Sequence, residues 1–262
     1  WVEASHLGAA IDRAAARVAR TRGLELWPVE AAVAPSRDAG LGEAIGDGVR
    51  VDASASWPSG APRDFRSPRG VVLAAASGGD PAATLHEGVT AVRHDAVWAI
   101  EAVVAGPRVR ELFFATVEHL PAADNLEVRV CGHFDSAGKT EVWLSPRFRG
   151  PQRLVQFLDD FDVDLVDNGH VELAVYLRAE KSTLRLTDHK TLVFLTEQDE
   201  LREQMTAWLG DHDVPAVASL GTIAAGHPHY HYRPADSRDR GKLEKRLARA
   251  RLRVVDSWPE AG

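Results

Sequence analysis

The sequence predicts an α+β protein built from tandem ferredoxin-like βαβ units around a mostly antiparallel sheet. Two observations carry that expectation. The stretch from Lys139 to Val166 recurs from Lys190 to Val217 at an offset of 51 residues, with nine of 28 positions identical and no gap. Shared sites such as Val142/Val193, Leu144/Leu195 and Leu158/Leu209, with the swaps Leu154/Met205 and Phe157/Trp208, are those that a strand followed by a helix would bury. In addition, the elements from Val97 onward read β-α-β-β-α-β, the order of the ferredoxin-like fold.

Element by element, residues 3–22 form an Ala/Arg-rich helical pattern that Gly23 closes. Leu24–Val33 and Gly48–Asp52 read as short strands. Residues 54–70 hold Pro58, Pro62 and Pro68 among serines and glycines, the best linker in the chain. The division that follows is a unit over 1–66 and a duplicated domain over 70–262. Val71–Ala76 is an apolar run of the buried type. Asp80-Pro81 reads as a helix start, since Asp accepts from free N–H groups and Pro suits the first helical position, so a helix is expected over 81–93. Val97–Val104 reads as a strand and Arg108–Leu120 as a helix. Leu126, Val128 and Val130 alternate with Glu127 and Arg129, the period of a half-buried strand that is expected to run to Phe134. Ser136-Ala137-Gly138 turns it into strand 139–144, and a helix follows over 152–160. Strands are then expected at 171–177, 182–187 and 190–195, a helix at 198–209 and a strand at 227–232. A helix at 240–250 and a strand at 252–257 complete the chain.

Composition narrows the function. With 262 residues, 45% hydrophobic and 26% charged, the chain can build a sizeable core. No apolar run approaches the ~18 residues of a membrane span, so no membrane role is expected. The single cysteine, Cys131, excludes an internal disulfide and fits a reducing cytoplasm. A net charge of −7 argues against general nucleic-acid binding and permits a basic partner, including a basic protein. The basic stretch 238–253, with eight cations, runs against that trend; it can contact phosphates, an acidic partner or the chain's own acidic segments.

The most unusual local feature is Gly226-His227-Pro228-His229-Tyr230-His231. In an extended strand His227, His229 and His231 line one face, where imidazole nitrogens can hold zinc or another divalent ion. Further ligands are expected from His189, Asp211, His212 and Asp213, with Asp188 beside them. Sharing one ion requires these groups to converge, because zinc–nitrogen bonds are only ~2.0–2.1 Å long. A solvent-facing edge strand is the plainer alternative, which Pro228 favours because it cannot donate to a ladder.

Cys131, His133 and Asp135 form a second alternating polar set, a metal corner or a Cys–His pair against an ordinary buried cysteine and a turn aspartate. The acidic run Asp159, Asp160, Asp162, Asp164 and Asp167 fails as a calcium loop, since a loop starting at Asp160 puts Leu165 at the turn glycine and Val171 at the bidentate glutamate. It reads instead as a solvated helix end. Gly40-Leu41-Gly42 lacks the full helix that a dinucleotide fingerprint needs. The chain contains no P-loop, HExxH, G-x-S-x-G or CxxC pattern.

The sequence therefore leans to a non-catalytic protein-binding or regulatory protein, of the inhibitor or immunity type for a basic partner. The alternative is a metal-dependent hydrolase using the His-x-His-x-His strand. The convergence of that strand with His189, or with Asp211–Asp213, discriminates between them.

Overall fold

Strand pairing in this chain follows the period-two burial of its hydrophobic residues. A computed structural model describes residues 11, 12, 14, 30–31, 43–44, 50–51, 65–74, 85–135, 138–225 and 228–259. The strands are β1 (Glu30–Ala31), β2 (Glu43–Ala44), β3 (Arg50–Val51), β4 (Val71–Ala74), β5 (Gly88–His94), β6 (Val97–Val103), β7 (Asn125–Val130), β8 (Lys139–Leu144), β9 (Val171–Leu177), β10 (Ser182–Leu186), β11 (Leu192–Thr196), β12 (His229–His231) and β13 (Arg253–Pro259). The helices are α1 (Gly106–His119), α2 (Pro151–Asp159), α3 (Asp162–Leu165), α4 (Asp199–Asp211) and α5 (Arg240–Arg249).

The protein is α+β with a mostly antiparallel sheet. Eight strands run in the order β13-β8-β7-β9-β10-β11-β6-β5, each pair antiparallel. The cross-strand partners Ile100, Phe194, Leu184, Val175 and Leu126 share one face and are at most 2% exposed. Onto that face pack Phe113 and Val117 of α1, Leu154 and Leu158 of α2, Met205 and Leu209 of α4, and Leu243 and Leu247 of α5. The opposite face carries a charge ladder in which Glu172 accepts from Arg129 at 3.0 Å and from Arg185 at 3.3 Å. Among the described residues no helix is long and apolar enough to cross a membrane.

A second, three-stranded sheet has the order β1-β4-β12, with β1 parallel and β12 antiparallel to β4. Through β1, a part of the 1–66 stretch thus shares a sheet with the 70–262 stretch. The two sheets meet where Gly70 and Gly169 touch backbone to backbone. A Cβ on Gly169 would sit 1.8 Å from the Gly70 carbonyl oxygen, and Gly70 itself has φ +90°, so both positions require glycine. Tyr232 N donates to Gly70 O at 2.8 Å and Gly169 N to Tyr232 O at 3.2 Å, closing the seam.

Three expectations change. The segment 85–93, expected to end a helix, is largely strand β5, which pairs with β6 along its length through a turn at Asp95 (φ 52°). The β-branched Val89, Thr90 and Val92 suit that pleated position better than a helix. The strand expected to continue to Phe134 stops at Val130 and tightens into a 3-10 turn over Gly132–Phe134. Within the βαββαβ order read from Val97, β6 pairs with β5 and β11 and not with β7, β8 or β9, so those strands do not close one four-stranded unit. Most of the helix read over 3–22 and most of the linker read over 54–70 lie outside the described residues, of which 11, 12 and 14 are helical.

Candidate metal centre

At one end of the large sheet β7 stops, β9 starts and β10 turns into β11, and all three loops face the small sheet. Antiparallel pairing fixes this, because Val130 lies opposite Val171 and Leu186 opposite Leu173. The loops supply Cys131 and His133, His170, and Asp188 and His189. The small sheet supplies β12, where His229 pairs with Leu73 and His231 with Val71. Period two sends those histidines to one side and Tyr230 and Tyr232 to the other, where both pack with Val72.

One ligand atom from each of His189, His229 and His231 falls within 4.8 Å of the others. His189 Nε2 and His229 Nε2 are 2.8 Å apart. Two ring nitrogens that close need either a shared proton or a cation beside them. His189 Nδ1 lies 2.6 Å from Asp188 Oδ1, the arrangement in which a carboxylate fixes a ligating imidazole's tautomer and leaves its other nitrogen to face the site. Asp188 Oδ2 faces His133 Nε2 at 3.3 Å and His231 Nε2 at 3.8 Å. Buried His231 Nδ1 has no hydrogen-bond partner among the described residues.

Electrostatics around Asp188 are strongly one-sided. Burial opposes its charge, but hydrogen bonds from His133 and His189 and the nearness of His231 outweigh it and hold the carboxyl far below the usual range. Burial, and then neighbouring His133, push His231 down to about 3. The same two causes hold His170 well below an ordinary histidine. Both imidazoles are therefore neutral at pH 7, the form that ligates metal. Burial, with the charges of Asp188 and Glu172, pushes the Cys131 thiol up.

The turn that presents Asp188 and His189 is built by Lys190. Its backbone has φ 64°, and its ammonium, 2% exposed, reaches under the β9 loop to donate to Asn168 O at 2.7 Å and Val171 O at 3.1 Å. His170 sits on that same loop, with its N–H donated to Asn168 Oδ1 and its ring stacked on Phe134 at 4.8 Å. Its Nδ1 meets His133 Nδ1 at 2.8 Å.

Of the residues the sequence nominated, His189, His229 and His231 come together, with Asp188 beside them. Asp211, His212 and Asp213 end α4 elsewhere. His212 rests on Trp208, its carbonyl accepts from Arg108, and Arg108 in turn pairs with Glu87. His227 lies outside the described residues. Cys131 and His133 also converge, but Asp135 does not join them. It faces Arg240 at 3.4 Å, and Asp188 takes the place expected for it. The 3-10 turn after β7 breaks the strand alternation that put Asp135 on the Cys131 face. Sequence reasoning missed His170 and Lys190. His170 follows the Asn168-Gly169 turn, a local signal, whereas nothing near Lys190 distinguishes it from its repeat counterpart Lys139, which is exposed.

Compared with models of known protein families, with curated proteins and with solved structures, the chain matches none.

Proposed function

We propose that the protein is a metal-dependent hydrolase whose divalent ion, zinc being the best fit, is held by His189, His229 and His231. The observation that carries this is the meeting of three imidazoles from two distant segments, one of them oriented by a half-buried carboxylate. Side-chain exposures of 19% for His189 and 13% for His231 leave the cluster at a partly open seam, suited to a fourth position for water or substrate. A divalent ion there would supply Lewis acidity and lower the pKa of bound water toward ~7. The chain's own contribution is to hold neutral imidazoles in place, with Asp188 fixing His189 and Lys190 fixing the turn.

Elemental analysis of purified, untagged protein after incubation with Zn²⁺ and desalting tests this, alongside a His229→Ala/His231→Ala variant. Near-stoichiometric zinc that disappears in the variant, with zinc-dependent cleavage of bis(4-nitrophenyl) phosphate or a nitrophenyl ester, is the expected result. No bound metal overturns the site; bound metal without turnover overturns the hydrolase and leaves a structural ion.

The non-catalytic binding reading finds its support in the net charge and in β13, exposed along its length at the sheet edge. A protein partner for that edge would appear in pull-downs that a metal-free protein passes equally well. We also infer that 139–166 and 190–217 descend from a duplicated hairpin–helix unit. In support, β8 and β11 are each the second strand of a hairpin followed by a helix, and Leu154/Met205 and Leu158/Leu209 are buried alike.

A further inference from the structure

Asp188, which lies beside the three-histidine cluster, is itself a member of a second one. Cys131 Sγ, a ring nitrogen of His133 and a carboxylate oxygen of Asp188 lie within 4.8 Å of one another. The two carboxylate oxygens point to different neighbours, Oδ1 to His189 and Oδ2 to His133 and His231. The His133 and His231 rings, one from each cluster, stack with centroids 4.3 Å apart. The clusters are therefore contiguous, and one carboxylate lies between them.

A hydrogen-bonded network without ions satisfies much of this. His133 and His189 can each donate to Asp188, His170 to His133 and His229 to His189. It leaves out His231 Nδ1, buried with no hydrogen-bond partner among the described residues, and it gives the Cys131 sulfur at the cluster no role.

We propose that Cys131, His133 and Asp188 form a second divalent-ion site beside the three-histidine site, with Asp188 between the two ions. This rests on the three-histidine reading and extends it to a two-ion centre. Thiolate, imidazole and carboxylate together select zinc over magnesium or calcium, which prefer oxygen ligands throughout. Coordination through His133 Nε2 leaves its Nδ1–H to donate to His170, which the Phe134 stack and the Asn168 loop hold in place. Paired ions clamp both the attacking and the leaving oxygen of an in-line displacement, so the substrate class that this geometry favours is a phosphoester.

The test is stoichiometry and spectrum. Untagged protein stripped of metal, reloaded with Zn²⁺ and desalted is expected to hold two zinc ions per chain, and a Cys131→Ser variant one. Loaded with Co²⁺, the wild-type protein is expected to show a thiolate-to-cobalt charge-transfer band that Cys131→Ser lacks. One zinc per chain that survives Cys131→Ser overturns the second site and leaves the three-histidine site standing. Two ions unaffected by Cys131→Ser, or a cobalt-loaded wild-type protein without the band, also overturn it, the latter without relying on any variant to fold. No bound metal at all removes both sites together.

Discussion

Asp164 shows how far a single side chain's partners can lie from it in sequence. Its carboxylate, 2% exposed, accepts from Arg238 Nη1 at 2.6 Å and Arg246 Nη1 at 2.9 Å, and from the Arg238 backbone N–H and the Ser237 hydroxyl. Neighbouring Asp162 and Asp167 pair with Arg110, and Asp167 also with Arg69. Of the run that read as a solvated helix end, Asp159 and Asp160 are exposed as expected, but Asp164 and Asp167 are buried, because their counter-charges sit more than fifty residues away and no local pattern reveals them. The basic stretch 238–253 is, in the same way, partly spent on the chain's own carboxylates. The arginines left behind can reach water, but the Ser237 hydroxyl and Arg238 N–H lose their buried acceptor, so Asp164→Ala is expected to cost about 1–3 kcal/mol in denaturant unfolding. Lys245→Ala, on the exposed side of α5, is expected to stay within about 0.5 kcal/mol of wild type.

Elements were legible where periodicity was strong. Strands β8 to β11 and helices α2, α4 and α5 fall within a few residues of their expected bounds, because alternation or a 3.6-residue repeat survives there. β5 failed because a good helix-start signal at Asp80-Pro81 outweighed three β-branched residues whose preference only pairing with β6 makes visible. Connections between elements carry energetics that the pattern hides. Asp124, between α1 and β7, accepts from the Arg178 backbone N–H at 2.8 Å and pairs with Arg147 at 2.6 Å, tying three loops. The Arg178 bond, and then Arg147, hold its carboxyl below 3.8 against the opposing effect of burial. A depressed carboxylate stabilises the fold above its unfolded pKa and loses that contribution as pH falls through the folded one. Asp124→Asn is therefore expected to destabilise by about 1–3 kcal/mol near neutral pH. The gap between the two proteins should narrow as pH falls below 3.8, which parallel urea titrations at pH 7 and pH 3 would read.

At the scale of the whole molecule, strand order and the joining of two sheets were beyond the sequence. Placing β6 beside β11, and β12 on a different sheet from the strands it follows, depends on long-range pairing that no local window contains. The histidine strand was visible as a motif and His189 as one of several partners. Its choice of His189 over His212 is set by which sheet end faces the small sheet. Gly169→Ala tests that joint directly. With both colliding atoms in backbone, neither side can yield, and a cost above the ~1–3 kcal/mol of ordinary overpacking is expected. In the zinc assay the same variant should hold less metal, because the loop carrying His170 moves with Gly169.

The seam between the sheets has one more consequence. The residues gathered there, from Cys131 to His231, come from segments spread over a hundred positions of the chain and from both sheets. An ion bound by His189 and His229 would act as a removable rivet between two plates. It would slow the rate at which the small sheet lifts from the large one, and its removal by a chelator would loosen the joint while leaving each plate's own hydrogen bonds in place. Protease nicking near β4 and β12 should therefore accelerate on chelation well before the eight-stranded sheet loses its circular-dichroism signal.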